Sequence, residues 1–502
     1  MSTTTSSANG AGPAEPPGES AAAPSFLDTG RGKLTLFLLC AVAFLDFIDA
    51  SIVNIALPTI QRDLDLSNQD LQWVPSGYLL TYGGLMLLGG RMADLLGRRR
   101  VLMTGTVIFA IASLVGGLAQ TSGVLIGARL VQGVGASMML PAALSILTTS
   151  FGDGPDRHKA LGAWAGTGAL ASAVGVFLGG VLTEGPGWRW VMFVNLPVCA
   201  LVLPAIPKLI ADDRRRASAR NFDFLGTVLA TSGLLLLVYT LVKAPDQGWG
   251  ATRTVVELTI AGLLLVAFVV NEGRNRNPLM PLGIFRIRGL GAANVTQLIA
   301  MSGFLAMFFF VTLYMQGVLG YSEIKAGSAF LPVCVGVGIA AGIASPLLAK
   351  IGTRPVIVVG ALVASAGVYV GDLLPGLVVM SFGLGWVFVG VATAANAGVP
   401  ADKAGLAAAL LNTSQQLGGA LGLAILSAVA TSTTTDLLAS GRPGPEAYTE
   451  GFQDALLVGS IFLAAAALIA LFVANTHGED AGDEAAGEGG DKAQASAASY
   501  VG

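Results

Sequence analysis

The chain has 502 residues, of which 53% are hydrophobic and only 12% charged, with a net charge of −3. Soluble domains carry about 25% charged residues, so a soluble globular protein is excluded, and no basic excess points to a nucleic-acid partner. The two histidines, His158 and His477, lie outside the apolar runs and make a histidine metal site untenable, while Cys40, Cys199 and Cys334 lie inside such runs as small packing residues.

Residues 1–33 are rich in Ser, Thr, Ala, Gly and Pro, without the basic start and short apolar core of a cleavable signal, and read as a disordered tail. A membrane helix needs about 20 mostly apolar residues. Runs of that kind follow at 34–57, 72–92, 101–119, 124–148, 160–182, 188–207, 223–242, 254–271, 291–316, 325–348, 355–371, 375–395, 404–430 and 452–474. Residues 475–502 are polar and acidic and read as a second disordered tail. The expected fold is therefore all-α and integral to the membrane, with fourteen transmembrane helices.

Direction follows from the connections. With the N-terminus placed in the cytoplasm, the inner segments hold Arg31, Lys33, Arg91, Arg98, Arg99, Arg100, Lys208, Arg214, Arg215, Arg216, Arg274 and more, against only Arg62, Arg189, Lys243, Arg253, Lys325 and Arg442 outside. This is the positive-inside pattern, and its alternation supports an even number of spans with both termini cytoplasmic. Residues 66–105 and 321–360 also align without a gap, Gly83, Gly97, Arg99, Val101 and Gly105 meeting Gly338, Gly352, Arg354, Val356 and Gly360. A duplicated architecture is common among transporters.

Within the first span, Asp46 and Asp49 are three residues apart and share a helix face. Each costs roughly 2.5–3.5 kcal/mol near the bilayer centre, so each marks either a functional site or a hydrogen-bonded packing pair. A carboxyl pair so placed suits a group that takes up and releases protons. The turn after the second span reads Gly90-Arg91-Met92-Ala93-Asp94-Leu95-Leu96-Gly97-Arg98-Arg99-Arg100. A basic anchor explains its arginines but not Asp94 or the glycines, which suit a contact made in one conformation and broken in another. Arg129 lies about 8–9 Å into the fourth span from the outer side, and Asp49 about 12 Å into the first, at 1.5 Å per residue. Comparable depth lets Arg129 pair with Asp49 or tune its protonation; snorkelling to the interface is the alternative. In the fifth span, Gly168, Ser172, Gly175 and Gly179, with Gly180, form a stripe of small residues that permits close helix packing.

Together these motifs resemble the fourteen-helix drug:proton antiporters of the major facilitator superfamily. The turn at 90–100 matches the Gly-x-x-x-Asp-x-x-Gly-Arg-Arg loop of that superfamily, and Asp49 to Pro58 resembles the span-one signature of the fourteen-helix branch. Arg129 with Gln132, Gly133 and Gly135 resembles the span-four motif. Gly187-Trp188-Arg189-Trp190 with Phe193, Asn195 and Pro197, and Asn412 to Gly419, are similar to further segments of the branch. The resemblance implies that Asp49 carries the proton, that the Arg129 motif takes part in its transfer, and that Gly90, Arg91, Asp94, Gly97, Arg98 and Arg99 form the gate loop; Asp46, on the same helix face as Asp49, is the second proton-coupling candidate from the residues themselves. It makes the stripe in the fifth span the antiporter packing motif. The sequence departs at Val176, where that motif has proline, a residue that bends a helix, and at Ala349, where the second-half loop has aspartate.

The resemblance implies the major facilitator fold: a six-helix bundle over 34–210, two inserted helices over 211–290, and a second six-helix bundle over 291–474. Gln297, Phe304, Phe308, Tyr314, Asn412 and Gln416 would face the cavity between bundles. The expected function is proton-coupled export of drugs, antibiotics or other small amphipathic molecules across the cytoplasmic membrane by alternating access. Its partners would be the substrate, protons and the lipid bilayer, with no cofactor, nucleic acid or obligate protein. A proton-coupled exporter or importer of one metabolite shares almost every feature. A polytopic membrane enzyme should cluster His, Asp or Cys at one face, and the sequence shows none.

Overall fold

The computed structural model describes residues 27, 29–151, 155–212, 223–275, 278, 280–369, 373–399 and 404–476. Most of the two tails (1–26 and 477–502) and the basic segment 213–222 lie outside the described residues. The elements in chain order are α1 (Gly30–Asp63), α2 (Asn68–Leu71), α3 (Trp73–Leu96), α4 (Arg98–Gly117), α5 (Ser122–Ser150), α6 (Pro155–Glu184), α7 (Arg189–Phe193), α8 (Asn195–Leu209) and α9 (Phe224–Gln247). They continue as α10 (Thr252–Arg274), α11 (Leu290–Leu313), α12 (Glu323–Ala329), α13 (Leu331–Ile351), α14 (Thr353–Tyr369), α15 (Leu373–Asn396), α16 (Ala404–Ala439) and α17 (Gly444–Ala470).

A helix satisfies its own backbone groups, which is what a segment in hydrocarbon requires. Twelve of the described helical segments are long and apolar enough to cross a membrane. The apolar α3, of 24 residues, and α14, of 17, pack beside them. Local chemistry sets the ends. The Thr29 hydroxyl accepts from the Gly32 N–H at 2.9 Å, so α1 begins at Gly30, ahead of the apolar run and inside what reads as tail. Gly97, at φ 95°, turns the chain between α3 and α4 in a conformation that strains any side chain. Apolarity alone ends the thirteenth span at 430 and resumes at 452, yet α16 runs to Ala439 and α17 starts at Gly444. Backbone hydrogen bonding does not require apolar side chains, so both helices continue through polar residues, and Thr433 Oγ1 donates to Asp454 Oδ2 at 2.8 Å between them.

α1 and α3–α8 pack on one another, and α11–α17 form a second group. α9 and α10 pair together, with α9 against α3 and α16. The first group is cored by residues such as Leu39, Val42, Phe109 and Met139, the second by Met307, Phe330, Leu384 and Val387. α10 exposes Val255, Val256, Ile260, Leu263, Val266 and Val269, an apolar surface suited to lipid rather than water.

The face where α1 begins is termed the basic face. At the opposite face the two groups are joined. Glu323 Oε1 accepts from Thr59 Oγ1 at 2.8 Å and from Arg62 Nη2 at 3.3 Å. Gln316, in the π-helical turn Tyr314–Val318 that ends α11, donates to the Ile55 carbonyl at 2.9 Å. The Ile324 N–H donates to Glu184 Oε2 at 3.1 Å. Backbones approach closely there: a Cβ on Gly327 would lie 2.7 Å from the Val176 carbonyl oxygen. Toward the basic face, Gly162 and Gly166 of α6 and Gly338 and Gly342 of α13 have nothing within 4 Å of such an atom. The groups are thus closed against each other at the far face, with open space beside α6 and α13 nearer the basic one.

Candidate functional site

Asp49 lies midway along α1 and is fully buried. α5, which supplies its ion-pair partner, presses closely on α4 at Gly135: a Cβ there would sit 2.7 Å from the Phe109 amide nitrogen. Arg129, 1% exposed, comes from α5 and places Nη1 2.6 Å from Asp49 Oδ2. The snorkelling alternative is therefore set aside: the guanidinium points into the helix group.

The donors around the pair are shared among several acceptors. Arg129 Nη1 also donates to Gln132 Oε1 at 2.8 Å, and Nε donates to the Val74 carbonyl of α3 at 3.1 Å. Gln132 Nε2 and Asn195 Nδ2 each donate to Asp49 Oδ1 at 2.7 Å. Ser113 of α4 accepts from Asn195 at 2.9 Å and Gln132 at 3.2 Å, and donates to the Met192 carbonyl at 3.0 Å. This uses the whole capacity of a hydroxyl, two lone pairs and one proton. One carboxylate thereby ties α1 to α5 and α8 directly, and to α3, α4 and α7 through its partners.

Asp46 turns to different partners. Its two oxygens accept separately from the phenols of Tyr78, at 2.7 Å, and Tyr82, at 2.8 Å, both on α3. The Arg129 guanidinium carbon stands 4.3 Å from the centre of the Tyr78 ring, a cation–π contact that links the two acids through one aromatic side chain.

The small-residue stripe of α6 packs on α1. Gly168 faces the Phe47 ring, Gly175 faces Ser51 and Ile48, and a Cβ on Gly179 would stand 2.7 Å from the Ile52 carbonyl oxygen. Gly180 instead faces Glu323 and Ile324 of α12, in the other group. In the basic turn, Gly90 lies against Pro141 of α5, Arg98 Nη1 donates to Thr149 Oγ1 at 2.9 Å, and Arg99 Nη1 donates to the Ile210 carbonyl at 3.3 Å. Arg91 is half-buried, and the side chain of Asp94 lies outside the described residues.

The six cavity candidates sit on α11, its terminal π turn and α16, and no hydrogen bond among the described residues joins them to Asp49. Gln297 Nε2 approaches Gln415 Oε1 at 3.4 Å, and Asn412 bonds its own helix at Ala408. Phe308 stacks on Phe330 at 4.8 Å and meets Phe304 edge-on at 5.0 Å. Tyr314 is half-buried at the start of the π turn, and Gln416 packs against Gly83 of α3. Among the described residues no group of three or more His, Cys, Asp or Glu could hold a metal ion.

Tyr78, Tyr82 and Ser113 belong to no motif legible in the sequence, and Gln132 and Asn195 enter it only as parts of larger ones. Tyr78 and Tyr82 did leave a signal: polar aromatics four residues apart in an otherwise apolar span, matching the period that puts Asp46 and Asp49 on one face.

Known proteins resemble this chain along most of its length. The profile of the Major Facilitator Superfamily matches residues 39–423. The puromycin resistance protein pur8 of Streptomyces alboniger is 39% identical over 457 residues, spanning 88% of this chain and 90% of that protein. The cephamycin export protein CmcT of Amycolatopsis lactamdurans is 38% identical, spanning 88% and 92%. Among solved structures, a bacterial homologue of the human lysosomal transporter Spinster, in an inward-facing, unoccupied conformation, superposes with a TM-score of 0.62 at 16% identity, covering 88% of this chain and 97% of that one. That likeness concerns the fold. With the profile spanning most of the chain and relatives matched nearly end to end, the protein belongs to the Major Facilitator Superfamily and is a membrane transporter.

Proposed function

We propose that the protein exports small organic molecules of the antibiotic type across the cell membrane, driven by protons moving inward. The observation that carries this reading is the fully buried Asp49–Arg129 pair, in a chain whose relatives are named for puromycin resistance and cephamycin export. Counting α3 and α14 as crossings gives fourteen. The basic face is then cytoplasmic, as are both termini. Residues 34–210 and 291–474 act as two bundles that rock about a midplane site, with 211–290 as an insert. The turn at 90–100 acts as the gate loop.

The geometry supplies a coupling mechanism. A proton on Asp49 removes the counter-charge of Arg129 and one of the acceptors of Gln132 and Asn195. Removing one partner of a buried ion pair costs about 3–5 kcal/mol, so α1, α5 and α8 then favour a different arrangement. Substrate and proton exchange only if each favours a different state, because a ligand binding both equally shifts nothing. No cofactor enters this cycle; the proton gradient is the energy source.

The test is transport of puromycin, a cephamycin and ethidium into inverted vesicles or proteoliposomes under an imposed pH gradient. Asp49→Asn is expected to abolish gradient-driven accumulation. Undiminished accumulation in that variant would overturn the role of Asp49.

A further inference from the structure

The buried network contains two acids and one guanidinium. The titratable and charged side chains around Asp46 are Asp49 on its own helix, Tyr78 and Tyr82 from α3, and Arg129 from α5. All are at most 2% exposed. An uncompensated carboxylate in such surroundings is costly, and Arg129 is committed to Asp49 at 2.6 Å.

The partners of the two acids differ in kind. Asp49 is met by the guanidinium of Arg129 and the amide NH₂ groups of Gln132 and Asn195, which donate and do not accept. They suit the carboxylate alone. Among the described residues Asp46 is hydrogen-bonded by phenols alone, and a phenol both donates and accepts. Ionised, Asp46 receives two O–H bonds. Neutral, it donates its own proton to one phenol oxygen and still receives from the other. Both forms keep two hydrogen bonds to the phenols, the neutral one by turning one phenol O–H away from the acid.

We propose that Asp46, Tyr78 and Tyr82 form a second proton-holding site, occupied while Asp49 is bound to Arg129, so that each transport cycle handles two protons. The proton comes from water on one face, forms an O–H on Asp46, and leaves to water on the other; no other bond changes. Tyr78 positions both halves, its hydroxyl on Asp46 and its ring under Arg129. The two-proton cycle rests on the proposed antiport, whereas the protonated carboxyl at Asp46 can be read without any substrate.

Infrared spectra of the purified full-length protein at neutral pH test the site directly, comparing wild type with Asp46→Asn and Asp49→Asn. A buried protonated-carboxyl band is expected in wild type and in Asp49→Asn, and lost in Asp46→Asn. The double variant Tyr78→Phe/Tyr82→Phe keeps the acid and should shift the frequency of that band. This readout guards against Asp46→Asn failing to fold. A band unchanged by Asp46→Asn, or unshifted by the double phenylalanine variant, overturns the site. In proteoliposomes with puromycin as probe, loss of one coupled proton lowers the steady-state gradient about tenfold at a pH difference of about one unit. Asp46→Asn should show that drop while retaining exchange, whereas Asp49→Asn should abolish gradient-driven uptake. An undiminished gradient in Asp46→Asn overturns the two-proton cycle. Full activity in Asp49→Asn instead overturns the proton role proposed for Asp49 and leaves the infrared result standing.

Discussion

Glu323 accepts the hydroxyl of Thr59 at 2.8 Å across 264 positions of sequence, joining the second helix group to the end of α1. Arg62 reaches the same oxygen, but its side chain is 72% exposed. An exposed ion pair contributes about 0–1 kcal/mol, while a hydrogen bond to a charged group contributes about 1.5–3 kcal/mol. Thr59→Val should therefore open the far face more than Arg62→Ala does. Spin-label distances between the far ends of α1 and α12 would measure it. The expected shift toward the open state is roughly tenfold or more for Thr59→Val and several-fold at most for Arg62→Ala. The reverse ranking would show that the ion pair is the principal latch.

The Asp49–Arg129 pair should reveal itself in a double-mutant cycle. Asp49→Ala strands a guanidinium that is 1% exposed, and Arg129→Ala strands a carboxylate that is fully buried. Each single change is expected to cost about 3–5 kcal/mol, and the double change less than their sum. Thermal unfolding in detergent, followed by the loss of monodisperse protein, measures all four corners. Arg129→Lys should not rescue. Lysine lacks the second nitrogen that lets Arg129 hold Val74 through Nε while binding Asp49 and Gln132 through Nη1.

What the sequence made legible follows from which signals are local. Apolar runs report hydrocarbon thickness, so twelve of them fall on described helices long and apolar enough to cross a membrane, while polar continuations such as Thr431–Ala439 of α16 lie beyond the reach of hydropathy. Asp46, Asp49 and Arg129 stood out because charge inside an apolar run is costly wherever it occurs. A rise of 1.5 Å per residue puts Arg129 at a depth comparable with that of Asp49. The partners of Asp46 were not legible in that way. The spacing of Tyr78 and Tyr82 puts them on one helix face but names no partner, and only the packing of α3 on α1 reveals where their hydroxyls point. Ser113 and Asn195 likewise acquire meaning from three-dimensional convergence, 82 positions apart in sequence yet 2.9 Å apart in space. Helix breaks at Val194 and Phe330 leave no hydropathy signal, since both halves are apolar.

The stripe on α6 predicts a graded response. Gly179 faces backbone, with a Cβ placed 2.7 Å from the Ile52 carbonyl oxygen, whereas Gly168 faces the Phe47 ring at 3.2 Å. A side chain can turn aside and a backbone carbonyl cannot. Gly179→Ala should force α6 off α1 at a cost of about 1–3 kcal/mol, and Gly168→Ala should be nearly neutral. Melting temperatures and the yield of folded protein compare them. Equal effects at both positions would mean that α1 and α6 adjust as rigid bodies rather than at individual contacts.

Asn195 offers the sharpest separation of positioning from stability. It begins α8 just after the break at Val194, and its amide bridges Asp49 Oδ1 at 2.7 Å and Ser113 at 2.9 Å. Asn195→Ala leaves Asp49 with its ion pair and with Gln132, so the carboxylate stays bound and the helix group stays folded. The loss is of order 1–3 kcal/mol for a buried, charge-directed hydrogen bond. The break before α8 separates Asn195 from the run of α7, so in the proposed cycle its link to Asp49 would carry a change of charge at that acid into α8. The expected outcome is roughly a ten- to hundredfold fall in the rate of gradient-driven transport, with the half-saturating substrate concentration little changed, because the residue lies among the helices of one group and not among the cavity candidates on α11 and α16. Ser113→Ala, which removes the second acceptor of the same amide but keeps its bond to Asp49, should show a smaller effect of the same kind. A raised half-saturating concentration with an unchanged maximal rate in Asn195→Ala would instead make Asn195 a substrate contact.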